Sequence, residues 1–102
     1  MALIKHPRML LVIIAEAALE KQLVADVKRL GAHGYTVYDV RGEGTMGVRE
    51  GAWEADHTIE MKVICETAVA DQIAEHVLAQ YVPHFGVTMF FADVQVLRPH
   101  KF

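Results

Sequence analysis

The chain has 102 residues, the length of one domain and too short for a barrel enzyme or a doubly wound dinucleotide fold. Ten basic residues against 13 acidic give a net charge of −3, which argues against a broad nucleic-acid face. A single cysteine, Cys65, excludes an internal disulfide, and the lack of serine excludes a Ser-His-Asp triad.

Met9–Ala15 is continuously apolar and short, the pattern of a strand buried on both faces. Lys5 and Arg8 before it and Ala15-Glu16-Ala17 after it superficially resemble a secretory signal. The run is only seven residues long and meets Glu16 at once, so it reads as a core strand instead. No run approaches the ~20 apolar residues of a membrane span. With one cysteine, a cytoplasmic location is expected. From Ala17 to Leu30 the apolar residues Leu19, Leu23, Val27 and Leu30 recur at helical spacing, and Gly31 is placed to cap that helix in a left-handed conformation. Tyr35–Arg41 is rich in aromatic and β-branched residues and predicts a second strand.

Gly42 to His57 is predicted to be a sixteen-residue structureless loop carrying four of the seven glycines. Thr58–Cys65 then alternates as a third strand, with Ile59, Met61, Val63 and Cys65 on one face and Thr58, Glu60, Lys62 and Ile64 on the other. Thr67 is placed to cap a second helix with Asp71 in its first turn. Its apolar stripe is Val69, Ile73, Val77 and Tyr81, widened by Ala70, Ala74 and Leu78, and Pro83 follows. Val87–Leu97 is a fourth strand, and Arg98–Phe102 an irregular tail. The order strand, helix, strand, strand, helix, strand predicts one α+β domain over 1–102. It is a ferredoxin-like βαββαβ fold with a four-stranded antiparallel sheet and both helices on one face. The other face carries too many apolar residues for a bare surface, so it is expected to be buried between subunits. The 53% hydrophobic content, a little high for so small a monomer, points the same way.

A loop of sixteen residues is more than a hairpin needs and is usually functional or disordered. Its glycines let backbone N–H groups converge on an anion, and Arg41 and Arg49 flank them. The segment reads either as an anion site or as a plain surface loop. It is neither a P-loop nor a dinucleotide fingerprint. Arg98 reads either as a solvated charge or as a second cation brought to that site by a neighbouring subunit. Trp53 is either an anchor for a partner or packed on the body. None of the six histidines (His6, His33, His57, His76, His84 and His100) has the spacing of a metal helix, so no metal site is expected and each reads as a loop or surface residue. Cys65 reads as an inert core thiol.

Gly31-Ala32-His33-Gly34-Tyr35-Thr36-Val37, followed by Gly42-x-Gly44-x-x-x-Val48-Arg49, resembles the P-II-like signalling proteins. The resemblance runs from about Leu10 to Arg98 and is nearest the SbtB-like branch linked to bicarbonate transport and carboxysomes. It implies a non-enzymatic homotrimer that binds adenine nucleotides between subunits and contacts a protein partner through the long loop. By position, Gly34, Tyr35 and Thr36 would lie near base and ribose. Gly42, Gly44 and Arg49 would hold phosphate, with Gly44 and Arg49 the bicarbonate candidates. Lys62, Ile64, Gly86 and Arg98 would complete the cleft. Classical P-II members are rich in glycine and lysine at this point; here the segment is Tyr81-Val82-Pro83-His84-Phe85-Gly86, with fewer phosphate donors, which favours AMP or ADP over a triphosphate. No prosthetic group, nucleic acid or membrane insertion is implied. An inorganic-carbon transporter is the expected partner. Outside the resemblance, small cofactor-free oxygenases or lyases and metal-tolerance-type trimers share this length and topology.

Overall fold

The computed structural model describes residues 2–44, 47–49 and 57–102. Its elements in chain order are β1 (His6–Glu16), α1 (Glu20–Arg29), β2 (Thr36–Val40), β3 (Gly42–Gly44), β4 (Gly47–Arg49), β5 (Thr58–Cys65), α2 (Thr67–Gln80) and β6 (Thr88–Val96). Four of the strands form one sheet in the order β2-β5-β1-β6, with every neighbouring pair antiparallel. This is the ferredoxin-like order.

The two-residue period of the strands decides what is buried. Leu11, Ile13 and Ala15 of β1 lie opposite Val63, Met61 and Ile59 of β5. All six are at most 1% exposed. Leu11, Ile13, Ala15, Met61 and Val63 form one core cluster with Leu23 and Val27 of α1 and Ala70, Ile73 and Val77 of α2. Both helices therefore cover one face, as the right-handed crossover rule requires.

Helix α1 ends in a Schellman motif. The Ala32 N–H donates to the Val27 carbonyl and the Gly31 N–H to the Lys28 carbonyl, while Gly31 takes φ +114°. That backbone disfavours any residue with a Cβ, so the glycine expected as a cap is one.

Five local expectations are corrected. The segment 17–30 is not one helix: Ala17–Leu19 is a 3-10 turn leading into α1. The sixteen-residue loop is not structureless at its base, where β3 and β4 pair Gly42 with Arg49 and Gly44 with Gly47. Thr67 does not cap α2. Glu66 holds the cap position without a side-chain bond, and no acidic residue stands in the first turn, Asp71 included. Leu78 is not in the buried stripe but 55% exposed, because it falls one residue past Val77 and turns to solvent. The tail forms a short 3-10 turn, Pro99–Lys101, held where Arg8 Nη2 donates to the Pro99 carbonyl at 3.1 Å.

Candidate functional site

The open face of the sheet divides in two. Across β1 and β6 it is apolar: Leu10, Val12 and Ile14 stand opposite Ala92, Phe90 and Thr88. Phe90 remains 49% exposed. Across β2 and β5 the same face is polar. Thr36 lies directly opposite Lys62 and Tyr38 opposite Glu60. The Tyr38 hydroxyl donates to Glu60 Oε2. Lys62 Nζ lies 3.8 Å from that same oxygen and 5.4 Å from the centre of the Tyr38 ring. The polar strip thus holds a hydroxyl, a carboxylate and an ammonium that share one side of two adjacent strands.

Of the residues named from the sequence, the sheet brings Thr36 and Lys62 together, with Ile64 two residues further along β5 on the same face. Gly34 and Tyr35 lead into β2 on that edge, and Lys28 Nζ stands 5.8 Å from the centre of the Tyr35 ring. Gly42 opens the β3–β4 ribbon opposite Arg49, and Gly44 closes it opposite Gly47. The remaining two sit elsewhere. Gly86 precedes β6, on the far edge of the sheet from β2. Arg98 follows β6 at the opposite end of that strand. One copy of the chain therefore does not gather all of these residues. A Cβ at Gly34, Gly42 or Gly86 would meet nothing within 4 Å among the described residues, so their packing does not require glycine at these three positions. Trp53 lies outside the described residues.

The sequence reading missed a polar cluster on the helical side. Asp26 of α1 accepts from the Tyr81 hydroxyl and from Arg29 Nη2 at 3.2 Å, and His76 Nε2 of α2 sits 3.0 Å from Asp26 Oδ2. His76, expected as a loop or surface residue, is instead a bridge between the helices. Burial works against the Asp26 carboxylate, but the bonds from Tyr81, Arg29 and His76 outweigh it and hold its pKa below the ordinary carboxylate value. Burial, and then the bond to Asp26, push the Tyr81 phenol up to about 12. The only sequence signal was Asp26 directly beside Val27 of the buried stripe; its partners on α2 lie about fifty residues away. Cys65 is 2% exposed. Burial, aided by Glu66, raises its pKa, so its nucleophilic thiolate is disfavoured. Among the described residues, no three His, Cys, Asp or Glu side chains are placed to hold a metal, and no helix is long and apolar enough to cross a membrane.

The sheet order β2-β5-β1-β6 and the βαββαβ order of the main elements define a small ferredoxin-like α+β protein. The sequence profile of the nitrogen regulatory protein P-II family matches residues 8–101, and the chain belongs to that family, whose members are regulatory proteins. A protein of Thermus thermophilus described as PII-like and signalling is 40% identical, with 96% of this chain and 97% of that one covered and a TM-score of 0.84. CPII of Thiomonas intermedia, bound to ADP and bicarbonate, is 27% identical over 99% of each chain with a TM-score of 0.88. A second CPII structure, bound to ADP, AMP and bicarbonate, has the same identity and TM-score over 99% of this chain and 98% of that one.

Proposed function

We propose that this protein is a P-II-like regulator of inorganic carbon metabolism, of the SbtB-like kind. It binds AMP or ADP, with bicarbonate as a second ligand, and acts in the cytoplasm as a homotrimer. The full-length likeness to CPII, which holds these ligands, carries the reading. Two features of the chain support it. The glycines at 34, 42 and 86 leave room for a ligand or a second copy to approach the backbone. The apolar half of the open face is of the kind that a subunit interface buries. A neighbouring copy would also bring Gly86 and Arg98 to the β2 edge, which one copy leaves apart.

In this reading Gly34, Tyr35 and Thr36 meet base and ribose, while Gly42, Gly44 and Arg49 hold phosphate or bicarbonate. Lys62, Ile64, Gly86 and Arg98 close the cleft. The ligand acts by binding one arrangement of the segment 42–57 better than others. That arrangement either presents Trp53 and its neighbours to a partner, an inorganic-carbon transporter, or hides them from it. Titration calorimetry with AMP, ADP, ATP and bicarbonate tests the reading. AMP or ADP should bind, and Arg49→Ala should weaken that binding about ten- to a hundredfold, the loss of one charge-assisted contact. A folded protein giving no heat with any nucleotide would end the proposal.

A further inference from the structure

The contacts of Lys62 differ in kind from those of Glu60. Glu60 takes a hydrogen bond from Tyr38, and its side chain is 18% exposed against 45% for Lys62. The carboxylate is therefore fixed and enclosed, and the ammonium leans outward. At 3.8 Å the Lys62–Glu60 contact exceeds hydrogen-bond length. It is a Coulombic attraction that spends none of the three lysine donors. An anion arriving beside Lys62 would offer those donors real acceptors. It would also meet a fixed negative charge immediately beside them.

We infer that Glu60 is a specificity-determining residue of the nucleotide site, the built-in counter-charge of Lys62 against which a ligand phosphate must compete. Tyr38 holds that carboxylate in place. The arrangement weakens binding of the phosphate without touching recognition of the adenosine portion. Affinity is therefore set by ligand charge as well as by shape. The inference rests on the nucleotide-binding reading above.

The test compares AMP with adenosine, which shares everything but the phosphate. Glu60→Gln keeps the size of the side chain and an acceptor for Tyr38 while removing the charge. It should bind AMP about two- to fivefold more tightly, the range of a partly exposed ion pair, and leave adenosine unchanged. The gain should shrink as salt is raised and vanish in a Lys62→Met background. Glu60→Asp, which restores the charge, should return AMP affinity toward that of the wild type and serves as the second variant. Wild-type binding of AMP with an unchanged Glu60→Gln, or an equal gain for adenosine, overturns the inference alone. No binding of AMP or ADP by the wild type overturns the nucleotide reading and the inference with it.

Discussion

The two faces of the sheet are made by the same four strands, yet they meet different surroundings. Under the helices Leu11, Ile13, Met61, Val63 and Ile73 have no exposed surface; on the open side Val12 is 1% exposed, and along the edge strand β6 Phe90 on the open face and Phe91 on the helical one each keep nearly half of their own. Strand alternation explains which residues share a face. It does not explain which face is covered, since β1 is apolar on both. The difference lies in what packs on top: α1 and α2 on one side, neither helix on the other, where the tail meets Arg8 at the Pro99 carbonyl. The open face is itself uneven, apolar over β1 and β6 and polar over β2 and β5. In the proposed reading, the apolar part meets a second copy and the polar part a small anionic ligand.

Substitutions on the two faces should break the comparison most visibly. Ile73→Ala leaves a cavity in the covered core and should cost about 2–5 kcal/mol in denaturant unfolding at any protein concentration. Phe90→Ala should cost less than about 0.5 kcal/mol in a dilute single copy and progressively more as concentration rises, if that face joins copies. A loss at Phe90 that ignores concentration would remove the argument for a shared interface.

The polar cluster on the helical side gives a smaller effect with a pH signature. Asp26→Asn weakens an acceptor that serves Tyr81, Arg29 and His76 and should cost about 1–3 kcal/mol near neutrality. The Asp26 pKa is lowered in the fold. Its stabilisation is therefore present above the ordinary carboxylate value and fades as pH falls through the lowered one. The acid limb of a thermal-stability profile should be shallower in Asp26→Asn. Tyr81 is raised to about 12, so its contribution is complete below the ordinary phenol value near 10 and fades as pH climbs toward 12. Tyr81→Phe should flatten that alkaline limb, and an unchanged limb would remove Tyr81 from the account. A backbone effect is expected at Gly31. There φ is +114° and an added Cβ would touch only Val69 at 3.6 Å, so Gly31→Ala should cost about 1 kcal/mol through backbone strain alone. Denaturant midpoints measure it, and no loss would mean that the turn relaxes.

Much of the fold was legible because it is written in local periodicity. The strand over Thr58–Cys65 and the cap at Gly31 come from alternation and from one steric rule. The β3–β4 ribbon was missed because Gly42–Gly44 and Gly47–Arg49 carry little strand propensity, and their pairing is a matter of backbone hydrogen bonds. Leu78 was misread because an apolar residue one step off a helical stripe looks, in sequence, like a wider stripe. At the candidate site, Thr36 and Lys62 were each legible by position, but their pairing across two strands was not. Nor were Tyr38 and Glu60 marked at all, since ordinary polar residues on a strand carry no signal of what they face.

The sequence by itself determined the order of elements, the apolar identity of both faces of β1 and the family resemblance, because these depend on neighbours a few residues apart or on motif spacing. Only the tertiary structure decided that Glu60 stands between Tyr38 and Lys62, that Asp26 ties α1 to His76 and Tyr81, and that Gly86 and Arg98 lie away from the β2 edge within one copy. Each of these joins or separates side chains that only the sheet register or the helix packing can place. Distances of that kind are set by the assembled core and not by any local preference of the chain.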